Sequence, residues 1–153
     1  MKFEQEQLSQ KLIEELLPIL IPHSEEVELD KDIPLDVAWS KYSFLQENNA
    51  MVLYTARNDE GVLVGYASYF VNPNLHYQSS LQATQDAIYI DKECRGFGRA
   101  FIDWCDSQLR NMGVQKVYQN TKAVHDFGPM LATLGYRAED IIYSRRLDLS
   151  EVS

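Results

Sequence analysis

Apolar residues recur at helical spacing in the first 20 residues of the chain. Every fourth position of one stripe is a leucine: Leu8, Leu12, Leu16 and Leu20. This period predicts an amphipathic helix over residues 3–20. Because proline cannot donate a helical hydrogen bond, Pro18 predicts a kink or an end of that helix near Leu17. A weaker helical pattern over residues 35–46 predicts a second helix.

From residue 51 the pattern changes to short stretches rich in β-branched and aromatic residues. Residues 51–56 and 62–71 predict two strands, and Asn58-Asp-Glu-Gly61 between them is typical of a turn. The two strands are therefore expected to form an antiparallel hairpin. A third strand is expected at residues 82–90.

The second half of the chain alternates between helical and strand patterns. The expected elements are a helix at 98–112, a strand at 114–119, a helix at 123–134 and a last strand at 140–147. A strand–helix–strand unit over 82–118 predicts a right-handed parallel crossover inside a mixed sheet. The predicted fold class is α/β or α+β, with helices packed on a central sheet.

The chain of 153 residues fits one compact domain. We expect a single domain over 1–153, with a helical N-terminal part at 1–50 and the sheet core at 51–150. The net charge of −9 argues against broad binding to nucleic acid, which needs many cations facing phosphates.

Cysteine content and hydropathy set the expected compartment. The two cysteines, Cys94 and Cys105, form no disulfide framework and have no metal-type spacing, so they are interpreted as reduced thiols. The N-terminus is too polar for a signal peptide, and no apolar run is long enough to span a bilayer. These features predict a soluble cytoplasmic protein without a metal.

The stretch Glu93-Cys-Arg-Gly-Phe-Gly-Arg-Ala-Phe101 joins a predicted strand to a predicted helix. A helix N-terminus leaves backbone N–H groups unpaired, and glycines allow a ligand to approach the backbone and permit positive φ angles. A Walker phosphate-binding loop is excluded, because no Lys-Ser or Lys-Thr follows the glycines. A dinucleotide fingerprint is excluded as well, because Phe101 stands at the position of its third glycine. A phosphate-binding loop and a strand–helix turn that uses glycine only to fit both remain open.

The stretch Ile88-Tyr-Ile-Asp-Lys-Glu-Cys-Arg-Gly-Phe-Gly-Arg-Ala100 resembles the acetyl-CoA-binding motif of the GNAT-type N-acetyltransferases. The core of that motif is Gln/Arg-x-x-Gly-x-Gly/Ala, and Arg95, Gly98 and Ala100 match it. The order of predicted elements over 51–147 matches as well. Further stretches are similar to small GNAT-like proteins often found in bacteriophages: His76-Tyr77, Gln82–Asp86, His125–Pro129 and Leu134–Tyr136.

The resemblance implies a mixed, mostly antiparallel central sheet flanked by helices, with a splayed parallel strand pair. It implies that the loop binds the pyrophosphate of acetyl-CoA, and that backbone groups of the preceding strand pair with the pantetheine arm. The residues that it assigns to the coenzyme are Ile88, Ile90, Arg95, Gly96, Phe97, Gly98, Arg99 and Ala100.

Amine acetylation often uses an acid that protonates the departing thiolate. The family commonly places a tyrosine four residues before the glycine of a Gly-Phe/Tyr pair, and that position here is Leu131. Tyr118 and His125 are alternative acids, although strand packing and helix capping would also explain them. A thiolate that leaves unaided is a further option.

Asp86 is the candidate base. Alternation along the strand places it on the same face as Ile88 and Ile90, and a carboxylate in an apolar strand tends to have a specific partner. A satisfied structural carboxylate at a bulge would also explain it. His76 and the segment His23-Ser-Glu-Glu26, expected after the first helix, are weaker candidates for the acceptor side.

The predicted function is acetyl-CoA-dependent transfer of an acetyl group to a primary amine of a small molecule or a protein. The net negative charge of the chain favours a cationic acceptor. Leu131 keeps a second hypothesis open, a non-catalytic or regulatory acyl-CoA-binding protein, phage-encoded and acting on a host factor. A nucleotide-phosphate binder is a third reading. No nucleic-acid or membrane partner is expected, and a homodimer is left open.

Overall fold

The computed structural model describes residues 1–149. A five-stranded sheet in the order β1-β2-β3-β4-β5 forms its centre. The strands are β1 (Lys2–Gln5), β2 (Met51–Arg57), β3 (Leu63–Pro73), β4 (Leu81–Ile90) and β5 (Lys116–Tyr118). Neighbouring strands are antiparallel except β4 and β5, which are parallel. The predicted hairpin, the third strand and the parallel pair are therefore confirmed.

Within residues 1–149, four helices flank this sheet. They are α1 (Gln10–Val27), α2 (Trp39–Glu47), α3 (Gly98–Asn111) and α4 (Gly128–Thr133), and a 3₁₀ turn (Lys92–Phe97) leads directly into α3. The helix predicted at 98–112 is confirmed almost to the residue. No helix within residues 1–149 has both the length and the apolar character needed to cross a membrane.

The N-terminal prediction is wrong in two respects. Residues 2–5 form an edge strand beside β2, and α1 begins only after Ser9, whose hydroxyl caps it by accepting from the Leu12 N–H. Of the kink or end predicted near Leu17, the end is contradicted, because the helix continues through Pro18 and Pro22. This longer helix includes the segment 23–26, which was expected to follow it.

The C-terminal prediction is also only partly correct. Strand β5 and helix α4 are both shorter than expected, at three and six residues. The last predicted strand, at 140–147, is not formed. Its β-branched and aromatic residues remain solvent-exposed, without a neighbouring strand in the described part of the chain.

The two sheet faces carry separate hydrophobic clusters. On one face, side chains of the sheet pack against Phe101, Cys105 and Leu109 of α3, which are completely buried. On the other face, Leu12 and Leu16 of α1 pack against a second set of strand residues, joined at its margin by side chains of α2. The candidate site lies where β4 leaves β5, between these two layers.

Candidate active site

Strands β4 and β5 separate after a short paired stretch. The pairing ends at Thr84 and Tyr118, although β4 continues to Ile90. Asn120 closes the gap at the next position, donating through its backbone N–H to Gln85 Oε1 (2.7 Å) and through Nδ2 to the Gln85 carbonyl (3.0 Å). Beyond Gln85, no strand within residues 1–149 covers this edge of β4.

The backbone of Ile88 and Ile90 faces this uncovered edge. The Asp91 N–H donates to the Val64 carbonyl of β3 (2.8 Å). Since hydrogen-bonded and non-hydrogen-bonded pairs alternate along an antiparallel ladder, the pairs Gly65–Ile90 and Ala67–Ile88 are non-hydrogen-bonded. The N–H and C=O groups of both isoleucines therefore point away from β3, into the opening.

The open edge leads into the loop that contains Gly96 and Gly98. Neither glycine has a positive φ, contrary to the conformational role considered from the sequence. A methyl group added at Gly96 would meet nothing within 4 Å, and one added at Gly98 would make only ordinary contacts at 4.0 Å. No requirement of the fold explains these two glycines, and the surface above them is free for a ligand. The N–H of Gly98 is engaged, since it donates to the Arg95 carbonyl.

The two arginines of this loop have partners within the chain. Arg95 donates to both carboxylate oxygens of Glu26 on α1 (2.7 and 2.8 Å) and through Nε to the Ile90 carbonyl (3.2 Å). Arg99 donates through Nε to Thr133 Oγ1 at the end of α4 (3.1 Å). The hydrogen bond from Arg95 holds the pKa of Glu26 below its usual value. The open surface above the two glycines is thus the part of the loop that a ligand can approach.

Asp86 lies at a β-bulge and does not share a face with the two isoleucines. The β3–β4 register shifts between Ser68 and Tyr69, which leaves Asp86 without a partner residue. Its Oδ2 accepts hydrogen bonds from Tyr42 of α2 (2.7 Å) and from Ser68 (2.8 Å). The predicted alternation is wrong here because the extra residue turns the carboxylate toward the α1/α2 face, while Ile88 and Ile90 pack on the α3 face.

A buried aromatic cluster adjoins Asp86 under α1. The Nδ1 of His23 lies 2.5 Å from the hydroxyl oxygen of Tyr66, and its ring stacks on Tyr89 at 5.0 Å between centroids. Burial lowers the pKa of His23, and the negative charge of Glu26 partly offsets this effect. Burial raises the pKa of Tyr66, with a further contribution from Asp86. Because burial lowers its pKa, the His23 imidazole is neutral near neutral pH.

Tyr118 and His125 lie at different ends of the opening. Tyr118 is the last paired residue of β5, and Lys116 Nζ stands 4.8 Å from the centre of its ring. Because Val117 packs on the α3 side, Tyr118 projects to the α1/α2 side, as Asp86 does. His125 lies in a turn after β5, with Nδ1 3.3 Å from Glu26, beside the glycine loop.

Leu131 occupies the middle of α4 and is 6% exposed. The hydroxyl of Tyr136 donates to the Asp106 carboxylate of α3 at 2.8 Å, which is a structural contact away from the opening. Neither residue offers a free proton donor at this position.

Two residues of the site were absent from the sequence-based candidates, Tyr42 and Tyr66. Nothing in the sequence marks either one, since their partners Asp86 and His23 are 44 and 43 positions away. Glu26 was named only within the segment 23–26, as a weaker candidate for the acceptor side, and its contact with Arg95 spans 69 positions. His76, the remaining candidate, lies in the turn between β3 and β4, where its N–H donates to Asn74 Oδ1 (2.9 Å).

Comparison with known proteins relates this chain to one family. The family described as "Acetyltransferase (GNAT) family" matches residues 12–128. A search of curated proteins finds no match.

Several solved structures share the fold along nearly all of the chain. A ribosomal-protein-alanine N-acetyltransferase from Brucella melitensis biovar Abortus 2308 is 22% identical, with 96% of this chain and 100% of that chain covered and a TM-score of 0.69. An aminoglycoside acetyltransferase from an uncultured soil metagenomic sample is 16% identical, with coverage of 97% and 96% and a TM-score of 0.71. A glucosamine-6-phosphate N-acetyltransferase from Arabidopsis thaliana is 12% identical, with coverage of 97% and 100% and a TM-score of 0.65.

Proposed function

This chain belongs to the acetyltransferase (GNAT) family, and we propose that it transfers the acetyl group of acetyl-CoA to a primary amine of a small molecule or a protein. The structural relatives include one named for a ribosomal protein and others named for small amines. These names support acetyl transfer as the reaction type. They leave open whether the acceptor is a small molecule or a protein.

The observation that carries the proposal is the uncovered edge of β4 running into two glycines that the fold does not require. The outward N–H groups of Ile88 and Ile90 and the outward carbonyl of Ile88 can pair with an extended amide-containing arm as a strand would, while the Ile90 carbonyl accepts from Arg95. At the end of that edge, Gly96 and Gly98 allow a pyrophosphate close to the start of α3. Coenzyme A has these two parts in the same order, the pantetheine arm and then the pyrophosphate.

Acetyl-CoA, when bound, supplies the acetyl group as an activated thioester. The exposed residues Gly96, Phe97, Arg99 and Ala100 would surround its phosphates. Arg95 would add a charge-assisted contact once it exchanges Glu26 for a phosphate oxygen. In this proposal, backbone groups make the main contacts to the coenzyme, and side-chain charge adds to them.

Asp86 is the proposed base that removes a proton from the acceptor amine. Two hydroxyl groups hold its carboxylate through Oδ2 alone, and within residues 1–149 no side chain donates to Oδ1. Burial and the hydrogen bond to Asp86 raise the pKa of Tyr42, so Tyr42 keeps the proton that it donates. The carboxylate is thus fixed in place with one oxygen available.

Tyr118 is the proposed acid. It lies where the strands part, on the same side of the sheet as Asp86, so the base and the acid flank the end of the opening. In this role its hydroxyl would donate a proton to the departing sulfur. His125 lies beside Glu26 at the other end, nearer to the phosphates, and is the alternative.

A thiol-release assay with acetyl-CoA and a panel of amines tests the proposal, together with calorimetry of coenzyme binding. Asp86→Asn is expected to lower kcat by about 100-fold or more, with unchanged coenzyme affinity. Tyr118→Phe should lower kcat, because a phenyl ring cannot donate a proton to the departing sulfur. Equal losses of thermal stability and activity in Asp86→Asn would contradict its role as a base.

The second candidate function is a non-catalytic acyl-CoA-binding protein, phage-encoded and acting on a host factor. The buried Leu131 favours it, because a leucine replaces the proton-donating tyrosine that the family commonly uses. Coenzyme binding without thiol release on any amine would support this candidate. Turnover by the wild-type protein would exclude it.

A further inference from the structure

A small pocket lies between α2 and the sheet, on the same side of the sheet as Asp86. It has a volume of about 230 Å³ and is lined by Ala38, Lys41, Tyr42, Leu45 and Phe70. Its surface is almost entirely carbon. Since an apolar cavity of about 150 Å³ in another protein binds benzene, this pocket is large enough for one aromatic ring or a short alkyl chain.

Tyr42 connects this pocket to Asp86. Its ring forms part of the pocket wall, and its hydroxyl donates to Asp86 Oδ2 (2.7 Å). Phe70 of β3 lines the sheet side of the pocket, with its ring nearly parallel to that of Tyr42 at 6.3 Å between centroids. A single side chain therefore separates the pocket from the proposed base.

Phe70 also lies close to the point where β4 and β5 part. It pairs with Thr84 of β4, and Thr84 pairs with Tyr118, the last paired residue of β5. Because residues directly opposite each other in a sheet project to the same face, these three side chains share the α1/α2 side. The pocket thus adjoins the surface that carries both the proposed base and the proposed acid.

Lys41 gives the pocket a charge preference. Of the described residues that line the pocket, only Lys41 is charged, and it is exposed at the rim. A compound with one amine can place that amine at Asp86 and its apolar part in the pocket. A polyamine would bring a second ammonium group toward Lys41, and like charges repel.

We propose that this pocket is an acceptor subsite and that it selects a monoamine with an aromatic or short alkyl group. The inference rests on the proposed acetyl transfer and narrows its acceptor from any primary amine to an apolar one. The amine nitrogen would lie at Asp86 Oδ1, to which no side chain within residues 1–149 donates. The apolar group would pack against Tyr42 and Phe70.

Titration of the full-length protein with amines, followed by NMR chemical shifts, tests the subsite without requiring turnover. The wild-type protein should bind 2-phenylethylamine more tightly than ethylamine, which lacks the ring, by about tenfold or more. It should also bind 2-phenylethylamine more tightly than spermidine. A tripeptide that begins with phenylalanine distinguishes a protein N-terminus from a small amine as the source of this chemistry, because the tighter of the two ligands identifies that source.

Two variants remove the two features of the pocket. Phe70→Ala should reduce the preference for 2-phenylethylamine over ethylamine to about twofold or less, because the aromatic wall is lost. Lys41→Glu should tighten spermidine binding by about threefold, as expected for an exposed charge. Since Lys41 is exposed, this variant tests the pocket even if Phe70→Ala lowers the thermal midpoint.

Phe44→Ala is the matched control. Phe44 lies on the same helix and is 64% exposed, and it does not line the pocket. It should keep the wild-type preference among the amines. Equal affinity of the wild type for ethylamine and 2-phenylethylamine, or binding of neither, would overturn the proposal. A ring preference that survives in folded Phe70→Ala would overturn it too.

A thiol-release assay on the same amines separates this inference from the proposed function. Turnover of all three amines with similar kcat/KM would contradict the apolar subsite and leave acetyl transfer intact. Ring-selective binding without thiol release on any amine would contradict acetyl transfer and leave the subsite intact.

Discussion

Helix α3 has glycine at both ends, and the two ends use it for different reasons. Gly113 follows the last turn, with a φ of +92°. Gly96 precedes the first turn and Gly98 begins it, and neither has a positive φ. The same residue type is thus required by the backbone at one end and not at the other.

Gly113 has a complete structural explanation. Its N–H donates to the Arg110 carbonyl, and the Val114 N–H donates to the Leu109 carbonyl (3.0 and 3.1 Å). These two bonds form the Schellman motif that terminates helices, in which the residue after the cap takes the left-handed conformation. A side chain at this position is strained whatever the space around it.

The glycines at the start of α3 have no such explanation. Their φ angles are ordinary, and the space around them is open. A helix start without internal need for glycine indicates that something outside the chain comes close to the backbone. This contrast favours the proposed coenzyme loop over a turn that uses glycine only to fit.

Gly98→Glu should produce the largest effect. A carboxylate at the phosphate position should weaken coenzyme binding by about 100-fold or more, since like charges brought together cost several kcal/mol. Stability should change little, because a Cβ at Gly98 meets only Ile90 and Met130 at 4.0 Å. Calorimetry and a thermal melt measure the two quantities. Unfolding of this variant would contradict the claim that the fold tolerates a side chain there.

Gly113→Ala should give the opposite result. The left-handed conformation should cost about 1–2 kcal/mol of unfolding free energy, which for a chain of this size lowers the melting temperature by about 2–8 °C. Coenzyme affinity of the folded protein should be unchanged. Weaker binding by this variant, measured well below its melting temperature, would show that the two ends of α3 are not independent.

Gly98→Ala should separate stability from binding in a milder way. Gly98 is already helical, so alanine should stabilise the protein by about 0.5–1 kcal/mol. The added methyl group should weaken coenzyme binding by about tenfold, in line with the cost of overpacking a tight contact. A chemical denaturation curve and a titration measure these changes. Binding as tight as in the wild type would show that the ligand does not touch this glycine.

Glu26→Gln should have the smallest effect. Arg95 must leave Glu26 to contact a phosphate, and a neutral partner competes less for the guanidinium. Coenzyme binding should tighten by about threefold, as expected for a partly exposed ion pair. A titration at low salt measures the change. Weaker binding would show instead that the Arg95–Glu26 pair positions the loop.

Elements that depend mainly on neighbouring residues in the sequence were predicted correctly. The turn at 58–61 predicted the hairpin, and the helical pattern over 98–112 predicted α3 to within one residue. At the N-terminus, the leucine period extended the predicted helix across Ser9, although Ser9 is a capping residue that could have set the start. Phe3 instead packs on Phe101 of α3 (5.0 Å), a contact between residues far apart in sequence.

The site was predictable only where one short segment builds it. The glycine loop lies within six residues, so its pattern was visible. The position of Asp86 depends on a bulge that reverses the alternation of β4, and strict two-residue periodicity cannot show that. The partners of Arg95 and Asp86 come from α1 and α2 and appear only after folding.

The most direct test is a calorimetric titration of coenzyme A into the wild-type protein, Gly98→Glu and Gly113→Ala at one temperature below all three melting points. We expect equal affinity for the wild type and Gly113→Ala, and an affinity lower by about 100-fold or more for folded Gly98→Glu. Wild-type affinity in Gly98→Glu, or no binding by the wild-type protein, would contradict the assignment of this loop to the coenzyme.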